Sequence, residues 1–344
     1  MRIQSLGLCL LLTGWPAVVF ASPWTLPAGR LLVIGGFDLQ EANSEFIDQG
    51  PVRAFPLEGE YLASTFTLGA RLGITDRFEL EASLPFRLLA YRSDPVLLLG
   101  GPGGADSLDA YQDNILDLSQ TAGGVGDLNL AGRYRLYSGA FLVTSEVRIK
   151  APTGYRGPAG TFGVDPRTIE DFEEALTEVV RPDRVEDDVT LGDAQLDLSG
   201  SLLLGAAFES GAFLRAGVGY NLRLGGAGDQ LLSDVRFGQA VGESLLLYAG
   251  GQLAFSVQAG NSIGVTVAAI DPELPARDYA GLSNLRPTIK RLATDSLEVG
   301  GGLIWRVGDT TEVNVGYQRV IWGRQVAATN TVSVGLALAL ELTN

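Results

Sequence analysis

The feature that most constrains this chain is a period of two that recurs along nearly its whole length. In Phe78–Ala90 the apolar residues Phe78, Leu80, Ala82, Leu84, Phe86, Leu88 and Ala90 take every second position, with Glu79, Glu81, Ser83 and Arg87 between them. Successive side chains of an extended strand point to opposite faces, so this alternation specifies a strand with one apolar and one polar face. Twelve segments follow or approach the same rule: near Arg30–Leu39, Tyr61–Ile74, Phe78–Tyr91, Asp127–Tyr137, Phe141–Ala151, Ala194–Phe208, Ala212–Leu224, the weaker Leu231–Val241, Leu245–Val257, Leu297–Val307, Thr311–Ile321 and Thr331–Leu342. Each comes near or exceeds the ~9–11 residues that a tilted strand needs to cross a bilayer.

A soluble sandwich would turn the apolar face to a core and the charged face to water. An outer-membrane barrel would turn the apolar face to lipid and the charged face to an enclosed lumen. The connections separate the two. Tight polar turns at Thr75–Arg77, Ser138–Gly139, Glu209–Gly211, Gly242–Ser244 and Gly308–Thr310 alternate with long links at Gln40–Glu60, Arg92–Gly126, Ala151–Asp193 and Gln258–Ser296; the links near Gly225–Gln230 and Gly323–Asn330 are shorter. A sandwich has no reason to sort its loops by parity, whereas a barrel with short periplasmic turns and long extracellular loops does. The expected fold is all-β: a transmembrane antiparallel up-and-down β-barrel of about 12 strands.

The N-terminus fits export. Arg2, the apolar run Leu6–Leu12 and Val19-Phe20-Ala21 ahead of Ser22 read as a Sec-type signal peptide, giving a signal peptide at 1–21 and a barrel domain at 22–344. The lone Cys9 falls inside that signal, so the barrel must hold without a disulfide. There is no histidine, which removes Ser-His-Asp and Cys-His catalysis and the usual zinc and copper ligand sets. No cofactor, no metal and no enzymatic activity are expected. The net charge of −15 argues against nucleic acid, which calls for clustered Lys and Arg. GGVGDLNL at Gly123–Leu130 has the look of a nucleotide loop but precedes a strand rather than a helix.

The alternation assigns charged residues to the inside: Arg71, Glu79, Glu81, Arg87, Arg133, Arg135, Glu146, Arg148, Lys150, Asp197, Arg215, Arg223, Glu298, Arg306, Glu312 and Glu341. One reading makes them an electrostatic lining that orients or filters a solute. The other makes them cross-strand Arg–carboxylate pairs that fill a barrel well below the ~16–18 strands of open porins. The acidic stretch Asp165–Asp193 does not alternate. Thr168 is placed to cap a short helix through Val180, with Asp171 as the capping-box acid and Pro182 as terminator. It is read either as a gate or divalent-cation bridge to lipopolysaccharide, or as a solvated acidic loop. The apolar runs Val96–Gly104 and Gly264–Ile270 either receive an apolar solute or pack on one another over the opening.

Four motifs carry a family resemblance. These are LGITDRFELEASLPF at Leu72–Phe86, GVGDLNLAGRYRL at Gly124–Leu136, IKAPTG at Ile149–Gly154, and VNVGYQRVIWGR followed by NTVSVGLAL within Val313–Leu338. In this order they resemble the outer-membrane family described as a component of the meta pathway of phenol degradation, also labelled a transporter. The resemblance spans most of the mature chain. It implies a barrel that moves small, often aromatic or hydrophobic compounds, and supplies no site residues to carry over. One departure is the ending Leu340-Glu341-Leu342-Thr343-Asn344, which lacks the terminal aromatic residue common in barrels recognised by the outer-membrane assembly machinery. The expectation is a monomer in the outer membrane of a Gram-negative bacterium, in contact with lipid and lipopolysaccharide. It would give passive, gated passage to small-molecule solutes. The alternative is a non-conducting structural or surface-recognition barrel acting through its extracellular loops.

Overall fold

The computed structural model describes residues 22–47, 50–97, 115–161, 165, 167–172, 189–280 and 283–342. Twelve strands form one antiparallel meander: β1 Arg30–Ala42, β2 Glu60–Gly73, β3 Phe78–Arg92, β4 Leu128–Ser138, β5 Leu142–Ala151, β6 Leu196–Ala207, β7 Ala212–Leu224, β8 Gln230–Val241, β9 Leu245–Ser256, β10 Asp295–Val307, β11 Thr311–Arg324 and β12 Asn330–Glu341. Each of the twelve pairs with its sequence neighbours, and β1 pairs with β12, so the twelve strands close into a barrel. The weak alternation at Leu231–Val241 belongs to β8, which is fully paired on both sides.

Side-chain burial is inverted relative to a soluble protein. The outward positions are exposed and apolar, including Phe37, Leu68, Leu88, Val147, Leu204, Val218 and Leu338. The inward positions are polar or charged and buried, with Glu79 at 0% exposure, Arg133 at 1% and Arg71 at 2%. Water outside would leave the apolar band unsatisfied, so lipid is the solvent this surface fits. Phe78, Tyr134, Tyr137, Phe141, Phe208 and Trp305 lie beside the short turns, where an interfacial aromatic girdle belongs. The architecture is that of an outer-membrane β-barrel.

The long loops sit at one end and pack together. Leu57, Tyr91, Val96, Leu116, Leu118, Phe172, Val265, Val267, Ala276 and Leu285 form one apolar cluster drawn from four loops and the end of β3. Residues Ser262–Ala269 and Leu285–Arg291 form a hairpin within it, and the Thr161 N–H donates to the Val265 carbonyl at 2.8 Å. Of the two readings of the apolar loop runs, packing over the opening accounts for Val96, Val265 and Val267; residues 98–104 lie outside the described residues.

One local feature was not legible from alternation, and a second was expected from its cap. Gln120–Val125, placed by sequence inside a loop, forms an extra strand on the upper half of β3, and Gly126-Asp127 separates it from β4. Its sequence QTAGGV has no apolar stripe to announce a strand. In the acidic segment, residues 169–172 are helical and the Asp171 N–H donates to the Thr168 hydroxyl at 3.1 Å, as an N-cap requires. The rest of the expected helix, 173–180, lies outside the described residues.

Candidate functional site

Register places the inward charges against one another. Glu79 on β3 lies directly opposite Arg133 on β4, which lies opposite Glu146 on β5; Arg71 on β2 lies opposite Glu81. Arg133 donates through Nε to Glu146 at 2.8 Å and through its terminal nitrogens to Glu79 and Glu81. Arg71 binds Glu79 in bidentate fashion, at 2.8 and 2.9 Å. Arg148 reaches Glu146 at 3.2 Å and Glu81 at 3.4 Å. Three arginines thus face three glutamates, and the cluster is electroneutral. A charge enclosed this far from water is retained only when it is paired and hydrogen-bonded. The paired reading therefore describes this part of the lumen.

The periplasmic end holds something sequence reasoning missed. Residues 22–29 fold into the lumen below the cluster. The Pro23 carbonyl accepts from the Thr144 hydroxyl at 2.6 Å, the Trp24 carbonyl from Arg71 at 3.2 Å, and the Leu26 N–H donates to Glu79 at 2.8 Å. Trp24 packs edge-on against Phe213, with ring centroids 6.3 Å apart. Gly205 makes room for this segment, since a Cβ there would meet Pro23 Cγ at 2.5 Å. No period-two signal could find it, because the segment is not a strand.

A third group lines the extracellular rim. Lys150 binds Asp193 at 2.6 Å and Asp197 at 2.9 Å, and Arg223 binds Asp193 as well. The Tyr155 hydroxyl donates to Asp127 and accepts from the Ala194 N–H at 3.1 Å, while Arg87 donates to the Leu191 carbonyl at 2.9 Å. Together these contacts hold Leu191–Ala194 as a strap across the rim. Burial pushes the Asp193 carboxyl up, but Lys150 and Arg223 outweigh it and hold the group below its ordinary range. Burial and the bond to Asp127 both raise the Tyr155 phenol. Asp193 therefore contributes stability that is complete above the unfolded pKa of ~3.9 and is lost as pH falls through its lower folded value. Tyr155 contributes stability that is complete below ~10 and is lost as pH rises through its higher folded value. Proteolytic protection of the strap should be flat from about pH 5 to pH 9. Asp193→Asn should speed cleavage there by roughly ten- to a hundred-fold at neutral pH, because losing a charge-assisted bond costs about 1.5–3 kcal/mol; limited proteolysis of the refolded protein measures both.

The remaining expected lumen residues sit as follows. Arg215 lies opposite Arg236, a like-charge pair relieved by Asp234 at 3.0 Å from Arg215 and by the Tyr248 ring, 4.7 Å from the Arg236 guanidinium. Asp234 and Arg236 escaped sequence reasoning because β8 alternates weakly. Arg306 pairs with Glu312 at 3.6 Å beside the last short turn, and Arg135 donates to the Asp76 carbonyl of the first. Glu341, expected inside, is exposed at the end of β12, opposite Arg30 at the start of β1. Glu298 accepts from the Gln252 amide at 2.8 Å.

Between the rim and the neutral cluster lies a cavity of about 400 Å³ on the barrel's inside. Its wall includes Asp38, Thr67, Glu81, Arg148, Lys150, Asp193, Asp197, Arg223, Gln252, Glu298, Asn314 and Ser333. No group of three or more His, Cys, Asp or Glu side chains arranged to hold a metal occurs among the described residues.

No protein-family model and no curated protein matches the sequence. Among solved structures, an outer membrane channel from Pseudomonas putida F1 superposes with a TM-score of 0.59 at 12% identity, covering 94% of this chain and 100% of the other. Two further barrels superpose more weakly. The β domain of the Bordetella autotransporter BrkA gives 0.42 at 13% identity, covering 89% and 99%, and the NanC porin gives 0.41 at 8% identity, covering 90% and 100%. The first of these shares the fold of this chain.

Proposed function

We propose that this barrel gives passive, gated passage across the outer membrane to small molecules. The observation that carries the reading is the cavity of about 400 Å³ on the barrel's inside, in a barrel that holds the N-terminal segment at one end and the packed loops at the other. A purely structural barrel would have no need of a polar chamber. The two coverings supply the gating. The motif resemblance extends the proposal to small apolar or aromatic solutes. Processing after Ala21 would leave Ser22 at the head of the lumenal segment. Lipopolysaccharide outside, assembly by the outer-membrane machinery and a monomeric state complete the reading.

The test is to refold the mature protein, confirm heat-modifiable migration on gels, and record single-channel conductance in a planar bilayer. Small discrete steps are expected, because both ends are narrowed. A correctly folded barrel that neither conducts nor admits solute into liposomes would overturn the reading. It would favour the surface-recognition alternative, for which the shared apolar core of four extracellular loops is the supporting observation. Loop deletion would then abolish binding while lumen substitutions left it intact.

A further inference from the structure

Eight charged side chains line the cavity, five carboxylates and three cations. The three cations are all engaged: Arg148 with Glu81 and Glu146, Lys150 with Asp193 and Asp197, Arg223 with Asp193. The two carboxylates left over, Asp38 and Glu298, lie away from these pairs on β1 and β10. Neither has a Lys or Arg within ion-pair distance among the described residues. Asp38 is 7% exposed and lies opposite Ser333 across the β1–β12 pairing, where the Ser333 hydroxyl is buried without a hydrogen-bond partner among the described residues. On its other side the row runs through Thr65 to Arg87, two strands and roughly 10 Å away. Arg87 is already turned to the Leu191 carbonyl. Glu298 has only the neutral amide of Gln252.

From this we infer that the cavity is a binding site for a small organic cation, an ammonium group carried on an apolar body. The inference rests on the passage reading above and names its solute class. A carboxylate held away from bulk water needs a counter-charge; among the described residues Glu298 has none, and Asp38 has only the distant pull of Arg87, which is spent on the Leu191 carbonyl. Two unmatched negative charges in a narrow low-dielectric chamber concentrate cations and exclude anions. The inward side chains of Ile34, Leu232 and Ala254, together with Gly36, Gly69 and Gly335, give the rest of the wall an apolar character suited to the body of such a solute. The volume of about 400 Å³ lies at the lower end of the range for small-molecule sites and has room for one aromatic ring with its ammonium group.

Benzyltrimethylammonium and benzenesulfonate test this, being of similar size, opposite in fixed charge and unable to cross lipid unaided. Reversal potentials in gradients of each salt give the permeability ratio, and titration calorimetry on the refolded protein gives binding. The wild-type barrel is expected to favour the cation about ten-fold or more. Asp38→Asn combined with Glu298→Gln should lose most of that preference while migration on gels stays heat-modifiable, since neither residue holds an ion pair. The single variants each lose part of it and serve if the double variant fails to fold. A conducting barrel that favours the anion, or whose preference survives the double substitution, overturns the inference and leaves passage standing. If no current flows, passage by either ion fails, and calorimetry still decides: cation binding lost in the variant supports the site, and no binding overturns it.

Discussion

Arg133→Ala is expected to cost the barrel about 3–5 kcal/mol, the usual loss when one partner of a buried charge network is removed. Arg133 is 1% exposed and spends its guanidinium on three glutamates from both flanking strands. Its removal leaves Glu79, Glu81 and Glu146 with only Arg71 and Arg148, so at least one carboxylate must protonate, draw in water or push its strand apart. The measurement is the midpoint of heat-induced unfolding on gels, or of urea unfolding in micelles, for wild type and variant. Adding Glu81→Gln should restore part of the loss, because it removes the excess negative charge, and a double-mutant cycle would quantify the coupling. Arg135→Ala is the internal comparison. It lies two residues on, at the periplasmic rim, and gives up a bond to one backbone carbonyl; its cost should stay within about 1 kcal/mol. Equal effects from the two variants would mean that the network is no more than a surface feature.

The contrast between these two arginines also marks how far the sequence can be read. Alternation assigns both to the same face, yet Arg133 is buried among glutamates and Arg135 reaches a turn carbonyl at the rim. The strands, the parity of the loops and the inward faces of Glu79, Glu81, Arg133, Glu146, Arg148 and Lys150 follow from a period of two, because the pleat leaves a side chain only two directions. Depth along the barrel does not follow, since it depends on register. The pairing of Arg133 with Glu79 on one side and Glu146 on the other is fixed by hydrogen-bonding between strands, and the shift between Val143 and Thr144 carries the lower end of β4 out of step. Groups outside strands were further out of reach. Asp193 and Tyr155 meet Lys150 and Asp127 through the fold of a loop, with Ala194 in a left-handed conformation, and no local pattern encodes that encounter. Asp38 stood within an expected strand yet was not singled out, because its interest lies in lacking the cation its neighbours have.

The N-terminal segment is the clearest case of information absent from the pattern, and it leads to the second large effect. Replacing Pro23–Leu26 by a Gly/Ser segment of equal length is expected to raise single-channel conductance several-fold. The segment is held at five points: Pro23 by Thr144, Trp24 by Arg71 and by the ring of Phe213, Thr25 through its hydroxyl to the Asp76 carbonyl, and Leu26 by Glu79 together with Leu32, Ala337 and Ala339. Backbone carbonyls and N–H groups make most of these contacts, so the aromatic ring of Trp24 and the apolar side chain of Leu26 are what a polar replacement removes. A twelve-stranded barrel is wider than the ~8-stranded barrels whose interior side chains fill alone, so clearing the segment should leave a continuous aqueous path at this end. Trp24→Ala should give a smaller rise, often as brief open events, because the hydrogen bonds around it persist. Unchanged conductance in the Gly/Ser variant would place the main resistance at the opposite end, under the packed loops. Shortening the Ser262–Arg291 hairpin would then raise conductance on its own. If either change alone does little and the two together do much, the lumen has two closures in series, and a solute must open both.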